Sequence, residues 1–493
     1  MKKYILGIDQ STQATKAILV EKNGHVAERF ALPHKQIVND QGWVEHDLEE
    51  IWGNTVAAVR GVMSKAGATA ADLDGIGICN QRETICVWDK KSGKPVFNAI
   101  VWQCSRGKEI SDRLEKQGLA EEVRKLSGMQ LSPYYSAAKA AWILEHVDGA
   151  KEKNEKGELC IGTIDAFLVW RMTGNFATDF SNAARTQLFN IRELKWDSRL
   201  CEMFGINPAC LPQVLDSNAQ FGLTDIGGAL DAPVMIGGIM GDSNGALYGE
   251  GCFEKGMVKA TYGTGSSIMM NIGADCVISE DPGAVTSIAW GLDGKVEYVL
   301  EGNINYSAAT IRWLEKDLKL IENPGETEQL AYASNPKDRT YFVPAFSGLG
   351  SPYWDNDAEG MVCGMTRVTG KAEFVRAALD CIDYQITDVL KIMEKISGIS
   401  VSQLHTDGGA TKNNYLMQFQ SDIMNCEVSV SLEDEVPCLG PVFAAGLKTG
   451  FFGSLEGLVE KKDFQPKMEE AVREEKLAGW KKAVKRCLYR PEM

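Results

Sequence analysis

Long apolar runs are missing from this sequence, and so is any excess of positive charge. No stretch approaches the about 18 uninterrupted apolar residues that a membrane-spanning helix needs. The apolar segment that follows Lys3 ends at Asp9, too early for the core of a signal peptide. The 52 Lys and Arg residues are outnumbered by 67 Asp and Glu, which gives a formal net charge of −15. We therefore expect no nucleic-acid partner and no membrane partner, because both require a basic surface.

Cysteine motifs are absent as well, although the chain contains 13 cysteines. No Cys-x-x-Cys pair occurs, and no histidine stands at metal-ligand spacing from a cysteine, which argues against zinc and redox sites. Most cysteines lie in apolar stretches such as Ile76–Cys79, so we expect reduced core thiols in a cytoplasmic protein. A Walker A sequence is also missing, which argues against a P-loop NTPase.

The composition that is present predicts a folded α/β protein. The chain has 493 residues, of which 44 % are hydrophobic and 24 % are charged, enough for two large domains. Strand-like segments alternate with segments of helical periodicity, which is typical of α/β layers. A helix should begin at Asp47 and end before Gly67, and an amphipathic helix should cover residues 469–486. The apolar side chains expected to face inward from the second helix are Val472, Leu477, Trp480 and Val484.

Two strand–turn–strand units of one design lie in opposite halves of the chain. The first spans residues 4–20 and the second spans residues 257–270, and in each two apolar strands enclose a tip of small polar residues. Because one such unit opens each half, we predict two related domains, residues 1–250 and residues 251–493.

The tips of both hairpins present several backbone N–H groups and hydroxyls to one point, which suits phosphate oxygens. Asp9 stands at the end of the first strand, where a carboxylate can hold Mg²⁺. Two opposed tips would clamp a polyphosphate between the domains. Each tip taken alone is equally compatible with an ordinary hairpin turn.

A polar segment, Asn80–Thr84, interrupts two apolar strands. Its Arg82 and Glu83 offer the fixed donors and acceptors that a polyhydroxy ligand needs, although a surface turn with a solvated ion pair would have the same sequence. Trp102 and Tyr134 are candidates for the walls of a pocket, and they are equally compatible with a position in the core.

The segment Gly241–Gly245 supports two different chemistries. It matches the nucleophile elbow G-x-S-x-G, with Ser243 as nucleophile and His405 as the one downstream histidine. The hydrolase interpretation gives no function to the hairpin tips. In the second interpretation Asp242 accepts the proton of a substrate hydroxyl that attacks a phosphate, and it can also cap the helix that follows.

The chain resembles the FGGY carbohydrate kinases, and among them the glycerol kinases most closely, over essentially its whole length. The motifs that carry the resemblance are Gly42–Asp47, Asn80–Thr84, Ala99–Cys104, Tyr134–His146, Thr261–Gly265, Val343–Gly350, Gly360–Asp380 and Leu416–Asp422. The resemblance implies an α/β fold of two actin-like, ribonuclease-H-like ATPase domains around a central cleft. It also implies ATP-dependent phosphorylation of a terminal hydroxyl on a small polyol or sugar.

The same resemblance implies a role for individual residues. Asp242 would be the general base, and Asp9 would contact Mg²⁺. The residues that match the family's substrate contacts are Arg82, Glu83, Trp102, Tyr134, Asp242, Ser243 and Ser267. Those that match its ATP contacts are Thr12, Gln13, Lys16, Thr264, Ala308, Arg312, Gly409 and Asn413. The habit of the family further implies a homodimer or homotetramer.

Four positions depart from the usual glycerol kinase pattern. Ser11 stands in place of Gly, Lys16 in place of Arg, Ser243 in place of Gln and Ser267 in place of Phe. The last two changes put small hydroxyls where large side chains would line the polyol pocket. The lost aromatic contact would cost a three-carbon ligand about 1–3 kcal/mol. We therefore expect glycerol or a four- or five-carbon polyol or ketose as substrate.

Three other functions stay open at this point. A pentulose kinase of the xylulose type would share the whole family pattern. An α/β-hydrolase would explain only the pentapeptide around Ser243. A non-catalytic, actin-like ATP-binding protein would share the hairpins, but it has no need of Arg82, Glu83 and Asp242 in the cleft.

Overall fold

Two large β-sheets and one smaller sheet organise the protein, whose computed structural model describes residues 2–355 and 357–489. The strands of this described part are β1 (Tyr4–Gln10), β2 (Ala14–Glu21), β3 (Val26–Pro33), β4 (Ile37–Val38), β5 (Val44–His46), β6 (Leu73–Asn80), β7 (Ile85–Asp89), β8 (Ala99–Ile100), β9 (Leu159–Thr163), β10 (Ala177–Asp179), β11 (Phe189–Asn190), β12 (Lys195–Trp196), β13 (Gln213–Leu215), β14 (Gly222–Thr224), β15 (Val234–Gly241), β16 (Met257–Tyr262), β17 (Ser266–Gly273), β18 (Val285–Leu292), β19 (Lys295–Ile304), β20 (Tyr341–Val343), β21 (Met361–Cys363), β22 (Gln403–Asp407), β23 (Glu427–Ser431) and β24 (Lys461–Phe464).

Helices cover the faces of these sheets. They are α1 (Leu48–Ala66), α2 (Lys108–Lys116), α3 (Ala120–Ser127), α4 (Ser136–His146), α5 (Ala150–Glu155), α6 (Ile164–Thr173), α7 (Phe180–Ala184), α8 (Ser198–Phe204), α9 (Asp242–Gly249), α10 (Ala308–Lys316), α11 (Glu326–Ala333), α12 (Lys371–Ser397), α13 (Asn414–Met424), α14 (Val436–Thr449) and α15 (Glu470–Cys487). Across residues 2–355 and 357–489, none of the helices has both the length and the apolar character needed to cross a bilayer.

Both large sheets follow the same plan. The first has the strand order β3-β2-β1-β6-β15-β14, and the second has the order β19-β17-β16-β22-β23-β24 with β18 added beyond β19. In each sheet the first two pairs are antiparallel, the next two are parallel and the last is antiparallel. The hairpins predicted from the sequence are β1–β2 and β16–β17, and they occupy equivalent places in the two sheets. The α/β class is thereby confirmed, with a duplicated sheet.

Two helices test the sequence predictions directly. Helix α1 begins after Asp47, whose carboxylate accepts a hydrogen bond from the Glu49 N–H at 2.8 Å, and it ends at Gly67 in the left-handed conformation with φ 59°. Helix α15 lies at the predicted place, but Val472 is 42 % exposed and does not face the core. The buried residues of α15 all lie in its C-terminal half. The face that packs on the core is therefore shorter than the one predicted from the spacing of apolar residues.

The parallel strands β1, β6 and β15 bring three segments together. Gln10, Asn80 and Gly241 are neighbours at the ends of these strands, since Asn80 pairs with both of the others. The polar loop after β6 and the first turn of α9 therefore share one edge of the sheet with Asp9. In open α/β sheets, the carboxyl ends of parallel strands are where ligands bind.

Helices α9 and α14 cross in close contact between the two large sheets. A Cβ atom on Gly440 would overlap the backbone of Gly245, and one on Gly245 would overlap the carbonyl oxygen of Pro437. An apolar cluster around this crossing includes Ile18 of the first sheet and Met269 of the second. The crossing therefore fixes how the sheets face each other, and only glycine fits at its centre.

We expect Gly440→Ala to lower the free energy of unfolding by about 1–3 kcal/mol, because the contact is backbone against backbone and has no side chain that can move away. Urea unfolding measures the change. Gly53→Ala on α1 is the matched control: its Cβ would meet nothing within 4 Å, so this variant should gain about 1 kcal/mol. Equal effects in the two variants would contradict this account of the crossing.

Candidate active site

A cavity of about 690 Å³ opens where the two large sheets face each other. It is lined by all seven residues predicted to contact substrate, namely Arg82, Glu83, Trp102, Tyr134, Asp242, Ser243 and Ser267. Thr12, from the predicted nucleotide set, lines it as well. The structure therefore brings together in one cavity side chains that are up to 255 positions apart in the chain, from Thr12 to Ser267.

The back of the cavity is a buried network of charges centred on Glu301. Arg82 donates two hydrogen bonds to its carboxylate, at 2.8 and 2.9 Å, and Arg185 Nη1 lies 3.1 Å from the same group. Arg185 Nε also donates to Glu83. Burial opposes ionisation of Glu301, but Arg185 and Arg82 overcome it and lower the pKa of this carboxyl to about 2. The network holds both arginines in fixed positions.

Asp242 stands at the mouth of this network, as the first residue of α9. Its Oδ1 lies 3.3 Å from Arg82 Nε and accepts a hydrogen bond of 2.6 Å from the Ser243 N–H. The side chain is 42 % exposed, whereas that of Arg82 is 4 % exposed. Asp242 is therefore a carboxylate that is anchored on one side and accessible from the cavity on the other.

Glu83 has an unusual backbone conformation, with φ 60°. Non-glycine residues in this region are uncommon and cluster at functional sites, because the strain must be offset by surrounding contacts. Here the Ser136 hydroxyl donates to the Glu83 carbonyl at 3.0 Å, and Arg185 holds the side chain. The turn directs Glu83 into the cavity beside Arg82.

A fully buried lysine supports the opposite wall. Lys139 donates hydrogen bonds to the carbonyl oxygens of Pro133 and Tyr134, and these contacts fix the segment that carries the Tyr134 ring. Burial lowers the pKa of Lys139 to about 7, although Glu83 favours its charged form. The Tyr134 ring packs edge-on against Trp102, with centroids 5.7 Å apart.

Trp102 is joined to the tip of the first hairpin. Its indole Nε1–H donates to the Thr12 hydroxyl at 2.9 Å, and its backbone N–H donates to the Thr84 hydroxyl at 3.1 Å. The aromatic wall is therefore fixed from both the hairpin tip and the loop after β6.

Asp9 lies in β1 behind that tip, one residue before the strand ends, and is 5 % exposed. Its Oδ2 lies 3.2 Å from Lys16 Nζ, which also donates to Glu435 at 2.9 Å. Burial raises the pKa of Asp9 to about 6; Lys16 opposes this rise, and the charges of Glu435 and Asp242 add to it. Lys16 thus bridges Asp9 and Glu435, and Glu435 Oε1 also lies 3.8 Å from Arg29 Nη1.

The other predicted nucleotide residues lie outside the cavity. Thr264 and Ala308 are close together, because the tip of the second hairpin accepts backbone hydrogen bonds of 2.9 to 3.1 Å from residues 307–309. Gly409 follows Gly408, whose backbone lies against the end of β16. The remaining members are Gln13, Lys16, Arg312 and Asn413. The Asn413 side chain caps α13 by accepting from the Leu416 N–H at 3.0 Å, and it also donates to Thr327 at 3.0 Å.

The structure contradicts the hydrolase hypothesis. His405 lines a second cavity of about 1090 Å³ that does not include Ser243. Lys461 donates to His405 Nδ1 at 2.9 Å, and Nε2 lies 3.1 Å from Gln403. No imidazole therefore reaches the serine in the described part of the chain. The pentapeptide match arises because β15 ends in glycine at the start of α9.

Two residues of the charge network, Arg185 and Glu301, are absent from the sequence-based prediction. Glu301 lies in the apolar strand β19. A charged residue within such an apolar run is the sequence signal that could have identified it. The signal did not indicate a partner, because Arg82 is 219 residues away. Arg185 follows the short helix α7, and its local sequence is unremarkable.

Comparison with known proteins identifies an ATP-dependent carbohydrate kinase. The FGGY family model for the N-terminal domain of carbohydrate kinases matches residues 4–249, and the model for the C-terminal domain matches residues 258–448. The chain belongs to this family. Its two sheets accordingly form the actin-like, ribonuclease-H-like ATPase fold that the sequence implied.

Several of the proteins similar to this chain are glycerol kinases. The chain is 45 % identical to a glycerol kinase of Bacillus licheniformis, with 98 % of this chain and 99 % of that one covered. It is 44 % identical to glycerol kinase 1 of Thermotoga maritima at the same coverage. The crystal structure of Plasmodium falciparum glycerol kinase with ADP superposes with a TM-score of 0.93 at 34 % identity, covering 99 % of both chains. A xylulose kinase structure from Lactobacillus acidophilus, at 21 % identity, shares the fold alone (TM-score 0.85, 98 % of this chain and 97 % of that one).

We expect Glu301→Gln to lower the free energy of unfolding at pH 7 by about 3–5 kcal/mol, because two buried arginines lose their shared carboxylate. The folded-state pKa of about 2 lies below the ordinary 4.5, so this stabilisation is complete above pH 4.5 and is lost as the pH falls towards 2. Urea titrations between pH 2 and 7 should show a steeper acid decline in the wild type than in the variant. An equal decline in both would contradict the assignment, and exposed Glu254→Gln serves as the control.

Proposed function

We propose that this chain transfers the γ-phosphoryl group of ATP to a terminal hydroxyl of a small polyol, either glycerol or a four- or five-carbon polyol. The observation that carries the proposal is Asp242, an accessible carboxylate held by Arg82 in a cavity with a polar floor and an aromatic wall. The names of the 45 % identical relatives point to glycerol. The two serines at positions 243 and 267 widen the range of acceptors.

In this proposal each residue has a role that suits phosphoryl transfer, which depends on positioning and charge more than on covalent catalysis. Asp242 accepts the proton of the attacking hydroxyl. Arg82 and Glu83 supply fixed hydrogen-bond donors and acceptors for the other hydroxyls of the acceptor. Trp102 and Tyr134 pack against its carbon chain.

ATP lies, in this proposal, between the tips of the two hairpins, with Thr12, Gln13 and Lys16 on one side. Thr264 and Ala308 are on the other side, and Arg312, Gly409 and Asn413 lie towards the adenosine. Thr12 can serve both ligands, since a hydroxyl that accepts from the Trp102 indole retains a proton to donate to a phosphate oxygen.

The surroundings of Asp9 fit a divalent cation. Asp9 is a buried carboxylate whose ionised form is disfavoured by burial and by the charges of Glu435 and Asp242, so a bound cation would stabilise it. Mg²⁺ is often bound through one carboxylate, water and substrate phosphates, and Asp9 offers such a carboxylate behind the hairpin tip. When bound, Mg²⁺ would neutralise phosphate charge, with Asp9 as its protein ligand.

A pentulose kinase gains no support from the relatives, because the xylulose kinase structures are 18–21 % identical and therefore similar in fold alone. The hypothesis of a non-catalytic ATP-binding protein gives no function to the Arg82–Asp242 pair in the cavity. The kinase hypothesis uses both residues.

We expect Asp242→Asn to lower kcat on every acceptor at least about a hundredfold, because the amide cannot accept the proton. Binding of ATP, measured by calorimetry, should stay unchanged. Exposed Asp148→Asn is the matched control and should keep wild-type turnover. Full activity in Asp242→Asn would rule out its role as general base, and an absence of turnover in the wild type on every polyol would favour the non-catalytic alternative.

The pair of substitutions Ser243→Gln and Ser267→Phe should raise kcat/KM for glycerol about tenfold, because larger side chains refill the pocket around a three-carbon ligand. The same protein should lose activity on four- and five-carbon polyols. Steady-state kinetics with glycerol and xylitol measure both effects, and Ser267→Thr controls for a small change of volume. No gain on glycerol would show that the serines do not set the size of the acceptor.

A further inference from the structure

One side of the cavity carries neutral polar groups that have no task in the chemistry above. Successive side chains of a strand alternate between its faces, so Glu301, Asn303 and Asn305 point the same way along β19 and just beyond its end. Ser267 of β17 pairs with Asn303 across the sheet. All four residues line the cavity. We call Ser267, Asn303 and Asn305 the outer strip, because they lead away from the buried network at Glu301.

The outer strip has hydrogen-bonding capacity to spare. The Ser267 hydroxyl is buried and makes no hydrogen bond. A buried polar group left unpaired costs about 1–3 kcal/mol. Asn303 and Asn305 are exposed residues whose carboxamides can each donate and accept. A ligand that reaches the strip with hydroxyl groups would satisfy these atoms.

Charge identifies the kind of ligand. The charged side chains that line the cavity are Arg82, Glu83, Arg185, Asp242 and Glu301, and they pair with one another at its inner end. The outer strip carries no charge, and neither do Gln130 and Ser132, which also line the cavity. An anionic group at the strip would lose water without gaining a cation, which is unfavourable. The strip therefore suits neutral hydroxyl groups.

Distance identifies the length of the ligand. A strand advances about 3.3 Å per residue, so Asn303 and Asn305 lie about 7 and 13 Å along the chain from Glu301. A three-carbon polyol held at Arg82 and Asp242 is too short to reach Asn303, which a four- or five-carbon polyol does reach, and Asn305 lies about 7 Å further out. A longer acceptor extends in that direction.

We propose that Ser267, Asn303 and Asn305 form an outer subsite that binds the distal hydroxyls of a neutral polyol longer than three carbons and so sets the specificity of the enzyme. This inference rests on the proposed function and deepens it by naming the residues that select the acceptor. Carboxamides and hydroxyls discriminate effectively here, because a site built to hydrogen-bond a hydroxyl binds poorly to a substrate that lacks it.

The test compares kcat/KM, with ATP and Mg²⁺ saturating, for glycerol, erythritol, ribitol and xylitol, and for ribonate as an anionic analogue. We expect the wild type to prefer a four- or five-carbon polyol and to ignore ribonate. Asn303→Ala should lower kcat/KM for the preferred polyol about tenfold, mainly through KM, and should lower its ratio to glycerol; Asn305→Ala, further out, should act in the same direction with a smaller effect. Asn323→Ala, in the exposed loop before α11, is the matched control and should keep the wild-type ratio.

Two results would overturn the subsite. One is a preference ratio that neither asparagine variant changes, and the other is faster turnover of ribonate than of any neutral polyol. If no acceptor turns over, the proposed function is wrong. Calorimetric binding of xylitol and glycerol to the wild type and to Asn303→Ala then decides the subsite separately: xylitol binding weakened by the variant supports it, and equal binding refutes it.

Discussion

The candidate site depends on the ion pairs between Glu301 and two arginines, Arg82 and Arg185. Two guanidinium groups compensate the cost of burying one carboxylate, and the hydrogen bonds of 2.8 and 2.9 Å from Arg82 fix its plane. Because Glu301 lies in the second large sheet while Arg82 follows a strand of the first, the same contact joins the two halves of the protein across the cleft. These contacts hold the floor of the pocket in place, and Arg82 in turn orients the Asp242 carboxylate.

The duplicated sheet explains why the reactive groups meet where they do. In the first sheet, the ends of β1, β6 and β15 bring Asp9, Arg82 and Asp242 to one edge. In the second sheet, β17 and β19 supply Ser267 and Glu301 from the facing side. The close crossing of α9 and α14 holds the two edges opposite each other. The two opposed hairpin tips and the cavity between the sheets follow from placing the same strand plan twice around one cleft.

The inner and outer parts of the cavity are built differently. The inner end is charged, and its charges are paired, so it binds by fixed hydrogen bonds around Arg82 and Glu83. The outer strip is neutral, and its Ser267 hydroxyl is unpaired. In the proposed function, the inner residues carry out the phosphoryl transfer and the outer strip selects the acceptor.

The sequence by itself determined what depends on near neighbours along the chain. Helix α1 was predictable from its Asp47 cap and Gly67 stop, and the two hairpins were predictable from their alternating strands and polar tips. The motifs also identified the family and the seven substrate-contact candidates. Tertiary structure alone decided that Glu301 meets Arg82 from 219 residues away, that Val472 stays exposed and that His405 lies far from Ser243 in another cavity. Periodicity records which face of an element is apolar, but the partner of a buried charge depends on how two distant sheets pack, and that information is not local.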